Sequence, residues 1–290
     1  MKIRKLIPFV LFAVLFCAGT LCIHFFSDKL FVFGEESGRL RAPVEVETVS
    51  AERLDADFCR WELSDLFADP RFSQNQSLML VNTEHKIPTA FEPQVSEYKD
   101  TDVYMNGCMQ EAYAALSEAV LRETGKKLYV SSDFRDESQQ MALYEEDPET
   151  ATVPGASEHQ TGLAVDVYVA YYAGDGFIKS RAGRFVNRES YKYGFIIRYP
   201  SFGEAITGIR YEPWHLRYVG QPHAEIIYGN QLTLEEYIAS FTPNVWYETD
   251  EYYICRILLP YGGELTFPRE FEECVFSPDN TGAGFLTVRK

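Results

Sequence analysis

The chain has 290 residues, 46% of them hydrophobic, enough to bury a substantial core as one large domain with appendages or as two small ones. The balance of apolar and charged residues is that of a globular protein and excludes a disordered one. A formal charge of −16 argues against nucleic acid as a partner, because an acidic surface repels a phosphate backbone.

Residues 6–26 form an uncharged apolar run of 21 residues, which as a helix is about 30 Å long and matches the hydrocarbon core of a bilayer. Lys2, Arg4 and Lys5 precede it with no acidic residue among them, so the N-terminus is expected in the cytoplasm and everything after Asp28 outside the membrane. Ala18-Gly19-Thr20 sits too early in the run for a good cleavage site, so an uncleaved single-pass anchor is expected. Cys17 and Cys22 read as two apolar residues of that helix. Four cysteines remain outside it: Cys59, Cys108, Cys255 and Cys274. An exported chain with an even count permits disulfides, and Cys255 with Cys274 is the pair closest in sequence, but spacing does not fix a pairing.

Residues 28–75 mix acidic and basic side chains with few apolar periodicities and read as a stalk. Leu78-Met79-Leu80-Val81-Asn82 reads as a short apolar strand, ended by a break at Lys86-Ile87-Pro88. From Met109 to Glu123 the apolar stripe of Ala112, Leu116, Ala119 and Val120 predicts a helix, with Gly125 where its C-terminal cap should fall. Leu128 to Ser132 predicts a strand, residues 137–145 a helix, and residues 147–155 a loop. In Leu163 to Val169 the alternation puts the branched residues on one face and Asp166 on the other, so a buried sheet face would leave Asp166 pointing into a site.

Arg181 to Tyr193 predicts a helix closed by Gly194, and Phe195 to Tyr199 a strand ended by Pro200. Ile206 to Tyr211 and His215 to Val219 are expected to complete the sheet, and Thr233-Leu234-Glu235-Glu236 has capping-box form at the start of a last helix. From Phe241 onward, apolar runs separated by glycine and proline predict a small all-β appendage. The fold expected is α+β, with a central, mainly antiparallel sheet, helices packed on one side, an N-terminal membrane helix and that appendage. Its divisions are a cytoplasmic tip and anchor at 1–27, a stalk at 28–75, the main domain at 76–240 and the appendage at 241–290.

Histidine is scarce, and outside the anchor only His85, His159, His215 and His223 occur. His85 and His223 stand in no pattern and read as structural residues. His159, Asp166 and His215 offer two imidazoles and a carboxylate, the set that holds a catalytic zinc with its fourth position left to water. Glu212 lies three residues before the last of them. This is a hydrolase site in outline, of a kind that fits many zinc hydrolases.

Pro154 to Asp166, Ile206-Thr207-Gly208-Ile209 and Tyr211 to Gly220 closely resemble the VanY-like D-alanyl-D-alanine carboxypeptidases. The likeness reaches back through Arg135 to Leu78 and forward to about Ile238, leaving the anchor, the stalk and the tail outside it. It implies that His159, Asp166 and His215 bind zinc, that Glu212 is the general base, that Ser157 and Gln140 stand at the substrate, and that Arg135 holds substrate negative charge. One departure is Ser132-Asp133-Phe134-Arg135, where the family usually has Ser-Gly-Tyr-Arg. Asp133 would either bear on the residue before the scissile bond or face solvent. Tyr211 and Trp214 are expected to pack and orient His215.

Ser96-Glu97-Tyr98-Lys99 also fits the Ser-x-x-Lys of serine enzymes acting on the same substrate, but no Lys-Thr-Gly accompanies it and chance explains it. The expectation is therefore a monomeric, membrane-anchored, extracytoplasmic zinc D,D-carboxypeptidase that removes the terminal D-Ala from D-Ala-D-Ala-ending stem peptides of peptidoglycan. The alternatives are an L,D-carboxypeptidase or endopeptidase on the same wall peptides, or a catalytically silent wall-binding or sensor protein.

Overall fold

The computed structural model describes Phe31 and residues 43–290. The tip and membrane helix expected at 1–27 lie outside the described residues, as does most of residues 28–42. Among the described residues no helix is long and apolar enough to cross a membrane. In chain order the strands are β1 (Glu47–Thr48), β2 (Phe58–Glu62), β3 (Phe72–Gln74), β4 (Val95–Glu97), β5 (Tyr104–Asn106), β6 (Tyr129–Ser132) and β7 (Ala164–Tyr168). They continue as β8 (Phe195–Ile197), β9 (His215–Tyr218), β10 (Trp246–Glu248), β11 (Tyr252–Leu258), β12 (Glu264–Pro268), β13 (Glu273–Pro278) and β14 (Ala283–Arg289).

The architecture is mixed α+β. Strands β6, β7, β9 and β8 lie in that order in one antiparallel sheet. The alternation in β7 works as its sequence predicts: Val165, Val167 and Val169 are fully buried, and Asp166 turns to the opposite face. The helices Gln110–Thr124 and Arg181–Glu189 pack on the valine face, where Tyr113, Leu116, Val120, Ala182 and Val186 share one cluster with Phe195 and Leu216. Gly125 closes the first of these helices at φ 70°, a left-handed value that glycine adopts without steric cost.

Helices are not confined to one side. Ile196, whose side chain alternates away from the valine face, packs with the helices His223–Gly229 and Leu234–Ser240. Two expected strands are absent. Residues 78–82 are buried coil, because their backbone groups bond to side chains and loops instead of a neighbouring strand: Leu78 N donates to Ser277 Oγ, Leu80 N to the Asp279 carbonyl, and the Met79 carbonyl accepts from Arg217. Residues 204–207 form one helical turn ended by Gly208 at φ 71°, and the strand expected over Ile206 to Tyr211 does not form.

The stalk reading fails for residues 43–75. They are folded, and supply β1 and β3 at the two edges of a six-stranded sheet ordered β1-β10-β11-β14-β13-β3, and β2 as the partner of β12. Phe58, Leu63 and Leu66 are buried in a cluster with Trp246, Phe267, Cys274 and Leu286. The two helices of this stretch, Ala51–Asp57 and Leu63–Ala68, are too short for their apolar residues to register as a period amid the charges. The C-terminal strands accordingly do not form an isolated appendage. Ile254 and Phe285 are fully buried against Leu78, Val219, Ala224 and Tyr237, each burial worth roughly 1.5–3 kcal/mol.

All four cysteines among the described residues are free. Cys255 on β11 and Cys274 on β13 lie on either side of β14, opposite Leu286 and Val288. Two strands apart is about 10 Å, beyond the reach of a disulfide.

Candidate active site

Strands β7 and β9 run antiparallel with Asp166 opposite His215, so the register alone places the carboxylate beside the imidazole on the face away from the valines. His159 comes from the helical turn Glu158–Thr161, which Gly162 closes at φ 70°. A Cβ at Gly162 would stand 2.5 Å from Val95 Cγ1 and 3.0 Å from Asn106 N, so only glycine lets the turn lie this close to β4 and β5. His159 Nδ1 donates to the Asp133 carbonyl at 2.8 Å, which leaves Nε2 to face Asp166 Oδ2 at 3.6 Å. His215 Nδ1 lies 3.0 Å from Asp166 Oδ1 and 3.8 Å from Glu212 Oε2.

One donor atom each from His159, Asp166 and His215 converge within 4.8 Å of one another. Asp166 Oδ1 is buried and accepts no hydrogen bond despite its nearness to the imidazole. A buried carboxylate oxygen without a donor, between two imidazoles, fits a divalent cation in the way two nitrogens and one oxygen fit zinc. The charges agree. Burial opposes ionisation of Asp166, but the two histidines hold its carboxyl well below the usual carboxylate range. Burial also opposes protonation of His215, yet Asp166 and Glu158 raise its pKa to about 9, so the pocket stabilises positive charge.

Glu212 lies in the turn that leads into β9: its N donates to the Tyr199 carbonyl, and His215 N donates to the Glu212 carbonyl. Burial pushes its carboxyl above the ordinary glutamate value, the direction that suits a group taking up a proton near neutrality. Arg135 follows β6 and is held on three sides. Nε donates to Gln140 Oε1 at 2.9 Å, Nη2 to Ser157 Oγ at 3.4 Å, and Nη1 to Ser132 Oγ. The structure thus brings Ser157 and Gln140 together around Arg135, and Gln140 is fixed in turn by its bond to the Thr152 carbonyl at 2.6 Å.

These groups open into a cleft of about 750 Å³. Leu143, Tyr144, Glu146 and Asp147 line one wall and Thr207, Gly208 and Ile209 another. Trp214 also lines the cleft and carries Arg210 on its ring, whereas Tyr211 turns away to bond Asn187. Asp133 does not line it: its carboxylate accepts from Tyr104 N at 2.6 Å and ties the segment before Arg135 to β5. Ser96 lies on β4, bonded to Gln110 and away from the cleft, so the Ser-x-x-Lys match has no site around it. Sequence reasoning passed over Glu158, Arg198 and Arg217, which are buried behind His215. The available signal was two arginines beside apolar strand residues, Arg198 directly after Ile196-Ile197 of β8 and Arg217 between Leu216 and Tyr218 of β9.

Comparison with known proteins bears on the same region. The family profile described as "VanY: D-alanyl-D-alanine carboxypeptidase" matches residues 102–221. The bifunctional D-Ala-D-Ala dipeptidase and D-Ala-D-Ala carboxypeptidase VanXYC of Enterococcus gallinarum is 36% identical over 180 residues, 56% of this chain and 93% of the relative. Other curated relatives are matched over 45% to 66% of their own length. Among solved structures, VanYB in complex with D-alanine-D-alanine is similar at 32% identity and a TM-score of 0.50, covering 57% of this chain and 99% of that one. The vancomycin resistance D,D-dipeptidase VanXYg shares the fold at a TM-score of 0.60 and 24% identity, covering 80% of this chain and 98% of that one.

Proposed function

The chain belongs to the VanY family of D-alanyl-D-alanine carboxypeptidases, and from that footing we propose that it is a zinc-dependent D,D-carboxypeptidase removing the terminal D-Ala from peptidoglycan stem peptides that end in D-Ala-D-Ala. The observation that carries the reading is the convergence of His159, Asp166 and His215 within 4.8 Å in a cleft that Glu212 and Arg135 also line. Zinc held by those three residues would polarise the scissile carbonyl and acidify the attacking water. Glu212 takes the proton of that water and passes it to the leaving amine. Arg135, a fork fixed by Gln140, Ser132 and Ser157, pairs with the terminal carboxylate of the peptide. The Asp133 carbonyl keeps the hydrogen of His159 on Nδ1 and so leaves Nε2 as the ligand.

The apolar run at 6–26 with Lys2, Arg4 and Lys5 before it supports a single-pass anchor with the cleft facing the wall, and we place the enzyme there as a monomer. The names of VanXYC and of the VanYB complex support cleavage between two D-alanines, while the LdcB LD-carboxypeptidase, similar at 33% identity and a TM-score of 0.53, keeps cutting one bond further in as the second reading. The test uses the full chain in detergent with zinc and a pentapeptide ending in D-Ala-D-Ala. Mass spectrometry should show loss of one alanine, chelation should stop it, and Glu212→Gln should lower the rate by roughly a thousandfold or more with zinc content unchanged. Release of an intact D-Ala-D-Ala dipeptide would move the assignment to the reading that cuts one bond further in, and release of a larger fragment to the endopeptidase reading. No cleavage of any stem peptide would leave a wall-binding protein.

A further inference from the structure

A buried charged network lies behind the candidate metal site, and none of the steps above uses it. Glu158, between Ser157 and His159, is 1% exposed. Its Oε1 accepts from Arg198 Nε at 2.6 Å and from Arg217 Nη1 at 2.7 Å. Arg198 sets its other two nitrogens on Glu235, Nη1 to Oε2 at 2.9 Å and Nη2 to Oε1 at 2.6 Å. Arg217 donates from Nη2 to the carbonyls of Ser77 at 2.9 Å and Met79 at 2.7 Å, and from Nε to that of Tyr218 at 3.0 Å. Both arginines are buried with Glu158.

The second carboxylate oxygen of Glu158, Oε2, has no hydrogen-bond partner, and it faces His215 Nε2 at 3.6 Å, which has none either. Two buried polar atoms left unbonded are costly, and each has the other as its neighbour. On the far side of the same ring, Nδ1 faces Asp166 and Glu212. A neutral imidazole with its hydrogen on Nε2 presents its lone pair at Nδ1. We infer that Glu158 is a positioning residue for His215: its carboxylate takes the Nε2 hydrogen and so fixes the tautomer that aims the Nδ1 lone pair at the point shared with His159 and Asp166. The inference rests on the zinc reading above.

The two imidazoles then serve through different nitrogens, Nε2 of His159 and Nδ1 of His215, each fixed by an acceptor behind it. The network explains why a carboxylate can do this so deep in the protein. Arg198 and Arg217 compensate its charge, and their bonds to Glu235 and to the backbone at Ser77, Met79 and Tyr218 leave it no room to swing away. Tyr199 bounds the same ring, with its centroid 5.0 Å from that of His215.

The competing role for Glu158 is mere neutralisation of the arginines, and Glu235 provides the control. It pairs with Arg198 but touches no candidate ligand. In the full chain in detergent, Glu158→Gln is expected to weaken zinc binding by roughly ten- to a hundredfold in chelator competition, and to change the visible spectrum of the cobalt-substituted protein. Glu235→Gln should lower the melting temperature while leaving zinc affinity within about twofold. Equal weakening in both variants, or wild-type affinity in a folded Glu158→Gln, overturns the inference. Should Glu158→Gln fail to fold, long-range proton–nitrogen spectra of the zinc-loaded wild type decide: the expected pattern is hydrogen on Nδ1 of His159 and Nε2 of His215, and the reverse for His215 overturns it. A wild-type chain that binds no zinc would instead remove the zinc reading itself, before any variant is compared.

Discussion

Arg135 donates from each of its three nitrogens to a different side chain, Gln140, Ser132 and Ser157, so its guanidinium is held as a fixed fork at the cleft. A lysine has no fork and cannot satisfy all three. Arg135→Lys is expected to lower kcat/KM on a peptide with a free terminal carboxylate by roughly a hundredfold, with a much smaller change on the C-terminal amide, whose charge it would no longer read. Equal losses on the two peptides would mean that Arg135 does not read the terminal charge. At this scale the sequence was most informative, because His159, Asp166, Glu212 and His215 sit in short, dense patterns whose chemistry is local. It was least informative for Asp133, whose carboxylate bonds a backbone N–H 29 residues away on β5.

Elements were legible where their period was long enough. The helix Gln110–Thr124 and the strand β7 follow their apolar spacing, and the helix Leu234–Ser240 begins at the Thr233 capping box that its sequence shows. Leu78–Asn82 reads as a strand by composition, but its partners are the hydroxyl of Ser277, the carbonyl of Asp279 and the guanidinium of Arg217, none of which spacing can reveal. The turn that carries His159 depends on Gly162. Gly162→Ala combines a left-handed φ of 70° with a contact to Val95 at 2.5 Å and should cost roughly 2–4 kcal/mol. Thermal melts should show the loss of stability, and zinc titration should show weaker binding, because the turn is shared with His159.

At the level of the whole molecule, the N-terminal stretch from residue 43, the central sheet and the C-terminal strands share buried clusters, so no boundary falls at residue 241. Deleting residues 241–290 would uncover Leu78, Val219, Ala224 and Tyr237 and strip β1, β2 and β3 of their partners. Such a chain is expected to lose its cooperative melt, measured by circular dichroism. His223 lies in this interface, with Nδ1 on the Tyr237 hydroxyl at 2.6 Å and Nε2 on Thr287 Oγ1 at 2.9 Å, and no charged partner. Burial lowers its pKa from 6.5 to about 3, so the folded state keeps it neutral where the unfolded chain protonates it. Its stabilisation is therefore complete above pH 6.5 and is lost as pH falls from there toward 3, by an amount on the order of a few kcal/mol. His223→Gln should flatten that acid limb in urea melts across pH, at some cost in stability near neutrality.

By itself the sequence picked out the candidate metal set and the alternation of β7, which depend on residue identity at short range and on a two-residue period, and its resemblance to a family added Glu212 and Arg135 as candidates. Only the tertiary structure decided that residues 43–75 complete the C-terminal sheet and that Glu158 stands behind His215. Both follow from contacts between segments distant in the chain, about 200 residues apart for β3 with β13 and 57 for Glu158 with His215, and burial of charge against charge leaves no periodic trace.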